Sequence, residues 1–262
     1  MDFSKLFDLT GKNAMIIGGA GGLGKLVAQG LAECGANVAI ASRTESKLQA
    51  ACEELKALTG KEFKYYVCDA TDEESVAAVA EQSNKDMGHI DILINSQGSN
   101  FKKPALEFPI DAFNKVLVDD ITSLMITCKH FAKYMKDNGY GKIVNVTSVR
   151  GKIATKGPGN AAYCASKGAV DMLTKQLASE FGPYGITVNA VGPTVTETPM
   201  MKDVIEQRGG DAYLKSLADA VPMRKTAAPE DVVGTALFLA APASDFLTGN
   251  ILYPDGGLTC VG

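Results

Sequence analysis

The stretch YCASK places Tyr163 and Lys167 four residues apart. In a helix that spacing brings both side chains to one face. A phenol ionises near pH 10, roughly three units too high to exchange protons freely at neutrality. An ammonium beside it favours the phenolate and brings the group into range for general acid/base work. A Tyr-x-x-x-Lys pair also arises by chance on solvated helix faces, so its setting matters. Here it follows IVNVTS, an apolar run that reads as a buried strand ending at Ser148. A hydroxyl at the C-terminal end of a strand stands where open α/β sheets bind their ligands.

The second chemical feature is MIIGGAGGLGK at residues 15–25. Gly19, Gly21 and Gly24 fit Gly-x-Gly-x-x-Gly, while Gly18, Gly22 and Gly24, with Leu23 between the last two, fit Gly-x-x-x-Gly-x-Gly. Either pattern follows a short apolar run and opens a helical one. Backbone without a Cβ can turn sharply and approach a pyrophosphate, and the helix N-terminus offers free N–H groups. The loop therefore reads as a dinucleotide site. The second apolar run ends at Ser42, with Arg43 after it. An acidic residue there would hold the ribose hydroxyls of NAD. Its absence, with a guanidinium ready to bind a 2′-phosphate, favours NADP(H). No basic residue lies between Gly18 and Gly24, which keeps NAD(H) open.

The elements that hold these groups alternate along the chain. NAMIIG, NVAIAS, FKYYVCD, IDILINS, GKIVNVTS, GITVNAVGP and GNILYPDGG read as seven short strands. Between them lie helical patterns, among them Leu23 to Cys34, Phe113 to Met135 and the stretch after Tyr163. Runs that are apolar on both faces predict buried parallel strands between covering helices. The expected fold is a doubly wound α/β domain of about seven parallel strands with helices on both faces, spanning residues 1–262. Residues 193–222 are the least regular and read as a substrate-side loop with short helices.

Bulk properties narrow the function. Hydrophobic residues make up 46% and charged residues 21%, with a net charge of -4, which argues against a nucleic-acid partner. No apolar run reaches membrane-spanning length and the N-terminus has no signal core, so a soluble cytoplasmic enzyme is expected. Cys34, Cys52, Cys68, Cys128, Cys164 and Cys260 form no Cys-x-x-Cys pair and read as reduced thiols. His89 and His130 have no ligand-spaced neighbour, so no metal is expected.

Taken together, the motifs resemble the short-chain dehydrogenase/reductase family over essentially the whole chain. Gly18, Gly22 and Gly24 match its cofactor loop, Asp69 with Ala70 its adenine contact, and Asn95 to Gly98 its Asn-Asn-Ala-Gly. Ser148, Tyr163 and Lys167 match its catalytic residues. NAVGP with Pro193, then Thr196 and Thr198, match the segment that holds the nicotinamide carboxamide. The resemblance selects Gly18, Gly22 and Gly24 as the cofactor signature and leaves Gly19 and Gly21 as added flexibility. It implies that Tyr163 exchanges the proton of a substrate oxygen, Ser148 hydrogen-bonds that oxygen, and Lys167 assists Tyr163 and holds the nicotinamide ribose. The cofactor carries the hydride. The C-terminal TGNILYPDGG implies a homotetramer.

Four departures bear on function. Asp120 stands where the family has Asn, and its charge opposes tyrosinate while favouring the Lys167 ammonium. Ser96 and Gln97 replace small residues, and Gln97 is a candidate substrate contact. The segment RGKIATKGPGN after Ser148 is long for the family and offers Arg150, Lys152 and Lys156 to an anionic substrate. Thr194 replaces the usual glycine after Pro193. LFDLTGK and ALEFPIDAF are most similar to gluconate 5-dehydrogenases and related polyol or sugar-acid enzymes. 3-Oxoacyl thioesters and hydroxysteroids or other cyclic ketones are the alternative substrates, and a non-enzymatic dinucleotide sensor is the alternative class.

Overall fold

Asn13–Ile17 are all buried and form β1 at the centre of a parallel sheet. Their side chains alternate between two apolar layers. Ala14 and Ile16 face one, Met15 and Ile17 the other. Burial on both sides suits a parallel strand sandwiched by helices. This computed structural model describes residues 2–198, 201 and 205–261.

The other strands are β2 (Asn37–Ser42), β3 (Lys64–Val67), β4 (Ile92–Asn95), β5 (Gly141–Val146), β6 (Ile186–Val191) and β7 (Ile251–Leu252). The sheet order is β3-β2-β1-β4-β5-β6-β7, parallel throughout. The order reverses between β1 and β4, which opens a ligand crevice at their C-terminal ends. Register brings Ile17, Ala41, Asn95 and Asn145 to that edge.

Helices α1 (Gly22–Glu33) and α2 (Glu45–Thr59) cover one face, joined there by a late helix, Pro229–Ala240, through Val232, Ala236 and Leu239. On the other face lie α3 (Glu73–Met87), α5 (Ser123–Asn138) and α6 (Ala161–Phe181), which contribute Val76, Leu124, Phe131, Val170 and Leu177. A short α4 (Ile110–Leu117) precedes α5, and α7 (Asp211–Asp219) lies in the irregular region, which makes Pro229–Ala240 α8. No helix among the described residues is long and apolar enough to cross a membrane.

Three details differ from the sequence reading. β3 is an edge strand whose residues are half-buried or exposed. β7 keeps only two residues of its predicted run. The helix expected over Phe113 to Met135 is interrupted by a π turn, Val118–Thr122, between α4 and α5. Such turns carry one extra residue and often occur at functional sites. Within the 193–222 segment, residues 199, 200 and 202–204 lie outside those described. Its entry is clamped where Glu197 N–H donates to Ala227 O at 3.0 Å.

Candidate active site

The glycine loop closes tightly on the sheet. Gly18 has φ +80° and its N–H donates to Ala41 O at 2.8 Å. A Cβ there would lie 2.9 Å from the Ser96 and Gln97 backbone, and one on Gly24 would strike Gly18 O. Gly19 corrects an expectation. A Cβ at Gly19 would sit 2.7 Å from Ile40 Cγ2, so its glycine serves close packing against β2 rather than flexibility. Gly21, by contrast, faces open space.

What this loop presents suits an anionic dinucleotide. The N-terminus of α1 has no side-chain cap and no acidic residue in its first turn. Its N–H groups and positive dipole end are left for a pyrophosphate. Leu23 lies in that first turn and Gly22 has φ +53°. Farther out, the buried Ser42 Oγ has no protein partner and Arg43 is exposed beside it. Asp69 accepts hydrogen bonds from Thr71 N–H at 2.9 Å and Thr71 Oγ1 at 2.7 Å. These two bonds hold its carboxyl below the usual range, with Arg43 adding a smaller attraction. Ala70 beside it is buried. The residues present therefore fit the dinucleotide.

Where β4 and β5 end, Asn95 Nδ2 donates to Asn145 Oδ1 at 3.0 Å and Asn145 Nδ2 to Thr174 Oγ1 at 3.0 Å. This buried ladder ties the two strand ends to α6. Gln97 Nε2 reaches Ser123 Oγ of α5 at 3.4 Å, so its side chain packs behind the loop, and its buried Oε1 has no partner. Gly98 has φ +153°, and a Cβ there would come 2.6 Å from Asp120 Oδ1.

Asp120 occupies the π turn. Its Oδ1 accepts Ser99 N–H at 2.8 Å, and its Oδ2 accepts Ser166 Oγ at 2.5 Å and lies 3.7 Å from Lys167 Nζ. The last contact is Coulombic, too long for a hydrogen bond. Lys167 Nζ also donates to Val146 O at 3.4 Å and stands 5.5 Å from the Tyr163 ring centroid. Tyr163, Ser166 and Lys167 share the first two turns of α6, whose 21 residues give them a rigid base. Ser148 follows β5 and its Oγ accepts Arg150 N–H at 3.2 Å, which caps a short 3-10 turn. Val149 N–H donates to Pro193 O at 3.1 Å, joining this turn to the segment with the buried Thr196 and Thr198.

Two of the basic side chains offered to a substrate have partners within the chain. Arg150 Nη1 donates to Ala154 O at 3.0 Å, within its own turn. Lys152 Nζ lies over the Tyr253 ring and donates to Thr259 Oγ1. Lys156 remains exposed. The sequence reading passed over Ser166, whose hydroxyl donates to Asp120 Oδ2 and lies 3.0 Å from the Tyr163 backbone O. Its signal was its place beside Lys167. Burial pushes the Cys128 thiol up to about 12 and that of Cys68 to about 11, so both stay protonated near neutrality.

A sequence model of the family described as enoyl-(acyl carrier protein) reductase matches residues 18–259. The chain is 33% identical to 5-keto-D-gluconate 5-reductase of Escherichia coli over 255 residues, covering 97% of each. It is 34% identical to gluconate 5-dehydrogenase of Gluconobacter oxydans over 264 residues, covering 99% of each. A crystal structure of a gluconate 5-dehydrogenase from Burkholderia cenocepacia, in complex with NADP and tartrate, superposes with a TM-score of 0.91 at 32% identity, covering 98% of this chain and 99% of that one. A parallel sheet with a glycine cradle at its switch point, matched along nearly its full length by these enzymes, makes this chain a member of the short-chain dehydrogenase/reductase family and a short-chain oxidoreductase.

Proposed function

We propose that this chain is an NADP(H)-dependent oxidoreductase that interconverts a secondary alcohol and a ketone, with a sugar acid or polyol as substrate. The observation that carries the reading is the Lys167 ammonium held 5.5 Å from the Tyr163 ring, on the helix that follows Ser148. Gly18, Gly22, Leu23 and Gly24 would hold the pyrophosphate, and Ser42 with Arg43 the 2′-phosphate. Asp69 and Ala70 would meet the adenine, and Asn95, Gly98, Pro193, Thr196 and Thr198 the nicotinamide half. The bound dinucleotide supplies or accepts the hydride.

The chain's own residues handle the proton and the orientation. Tyr163 gives a proton to the carbonyl oxygen in reduction and takes one from the alcohol in oxidation. Ser148 hydrogen-bonds the same oxygen, which fixes the reacting carbon and stabilises charge on that oxygen as it develops. Lys167 sets a positive charge 5.5 Å from the Tyr163 ring centroid and would hold the nicotinamide ribose. Asp120 balances that charge across 3.7 Å. The described parts of the 193–222 segment would lie on the substrate side of the single domain, and β7 at the sheet edge supports assembly into a homotetramer, which sedimentation would test.

The substrate class is supported by the two relatives that act on gluconate and its keto form and by the tartrate in the structural neighbour. A spectrophotometric screen tests the reading. NADPH and NADH are each offered with 5-keto-D-gluconate, other keto sugars, 3-oxoacyl thioesters and cyclic ketones. NADPH oxidation by a keto sugar or keto acid is expected. Exclusive use of thioesters or cyclic ketones would overturn the substrate class. NADPH binding with no turnover of any ketone would overturn the enzymatic reading.

A further inference from the structure

One turn along α6 from Lys167, a second buried carboxylate joins three segments of the chain. Asp171 is 8% exposed. Its Oδ1 accepts Thr147 Oγ1 at 2.6 Å, and its Oδ2 accepts Tyr253 OH at 2.6 Å. The same Thr147 hydroxyl lies 3.2 Å from the Lys167 backbone O. Thr147 immediately precedes Ser148, and Tyr253 immediately follows β7. One carboxylate thus bridges the strand end that carries Ser148, the helix that carries Tyr163 and Lys167, and the C-terminal segment.

The surroundings leave little slack. A Cβ on Gly151 would lie 2.5 Å from Asp171 Oδ2 and 2.8 Å from Lys167 O. A Cβ on Gly192 would lie 2.6 Å from the Tyr253 ring and 3.1 Å from Thr147 Cγ2. Burial raises the Asp171 carboxyl above its ordinary value, opposed by its two hydrogen bonds and more weakly by Lys175 and Lys167. Lys152 stands over the outer face of the Tyr253 ring. Apolar contact alone tolerates small sliding of a helix along a strand. Short hydrogen bonds to a charged acceptor are directional and resist it. Reaction geometry is sensitive on that scale, since a misplacement of about 1 Å costs on the order of a hundredfold in rate.

We propose that Asp171 is a positioning residue that sets Ser148 against the Tyr163–Lys167 pair through Thr147, and makes that setting depend on the C-terminal segment through Tyr253. The inference rests on the reaction proposed above. Neither Thr147 nor Tyr253 carries a charge near neutrality, so replacing them takes no charged side chain from the site.

The test uses the full-length enzyme with NADPH and 5-keto-D-gluconate, or the ketone that wild type reduces fastest. Thr147→Val, Thr147→Ser, Tyr253→Phe and the double variant Thr147→Val/Tyr253→Phe are compared as folded fractions. In Thr147→Val, kcat falls by about tenfold while the NADPH dissociation constant stays within about twofold, because geometry rather than binding is lost. Thr147→Ser restores kcat, and Tyr253→Phe loses less than Thr147→Val. The double variant loses less than the product of the two single losses, because both act through one carboxylate. Wild-type kcat per folded molecule in both single variants, with only the melting temperature lowered, overturns the proposal and leaves Asp171 a structural residue. Should Thr147→Val fail to fold, Tyr253→Phe at its partly exposed position decides the matter. A wild type inert toward every ketone overturns the proposed reaction, and this inference with it.

Discussion

The carboxylate of Asp120 lies 3.7 Å from the ammonium of Lys167, with the two side chains 0% and 7% exposed. Opposite charges buried together stabilise each other, and losing one leaves the other uncompensated. Ser99 N–H and Ser166 Oγ complete the acceptor shell of Asp120. The carboxylate therefore has a fixed orientation and a fixed effect on the field around Tyr163.

Asp120→Asn removes that negative charge while keeping the shape. Its loss leaves the buried Lys167 ammonium without its counter-charge, so the pH profile of kcat/KM in alcohol oxidation differs from that of wild type. Steady-state rates between pH 6 and 10 check this. A profile that overlays wild type removes the electrostatic role of Asp120.

Tyr163→Phe keeps the ring and deletes the proton. Turnover falls by about a thousandfold, within the range of positioned general acid/base groups. NADPH affinity measured by fluorescence stays near wild type. Undiminished turnover would move the proton chemistry to another residue.

Much of this site was legible because its parts are local. Tyr163 and Lys167 share one helix face, and Gly18, Gly22 and Gly24 share one turn. The central strands were legible because both faces are apolar, as in Asn13–Ile17. FKYYVCD was read with the other runs as a buried strand, yet at the sheet edge β3 is only partly covered. The π turn was hidden because one inserted residue hardly disturbs helical periodicity, and it is this turn that holds Asp120. Gly19 looked flexible until folding brought Ile40 against it. Asp171 and Tyr253 are 82 residues apart, and no spacing rule connects them.

Arg43 follows β2 with its guanidinium exposed, and Ser42 Oγ beside it lacks a protein partner. Charge-assisted hydrogen bonds contribute about 1.5–3 kcal/mol each, so Arg43→Ala lowers kcat/KM for NADPH by roughly 10- to 100-fold. The value for NADH changes little. Parallel rate measurements with both cofactors check this, and equal losses for the two would remove Arg43 as the 2′-phosphate contact.

Gly24→Ala and Gly21→Ala separate packing from turn chemistry. A methyl on Gly24 meets Gly18 O, whereas one on Gly21 meets nothing within 4 Å. Overpacking a tight site costs about 1–3 kcal/mol, so Gly24→Ala lowers the melting temperature and weakens NADPH binding. Gly21→Ala keeps the wild-type melting temperature, since its extended φ of -171° suits alanine. Calorimetry and cofactor titration check both variants, and equal effects would contradict the packing account.

Asp69 links the adenine end to acid stability. Hydrogen bonds from Thr71 N–H and Thr71 Oγ1 hold its carboxyl below the ordinary value when the chain is folded. The folded state therefore binds the proton more weakly than the unfolded one. Such a group stabilises the fold above its unfolded value, near pH 4, and loses that contribution as pH falls through the folded value. Asp69→Asn has no proton to exchange at this position. Wild type melts a few degrees above Asp69→Asn at pH 6, and the gap narrows steadily from pH 5 to 3. A gap that stays constant across that window would mean that Asp69 contributes through shape alone, with its charge unlinked to folding.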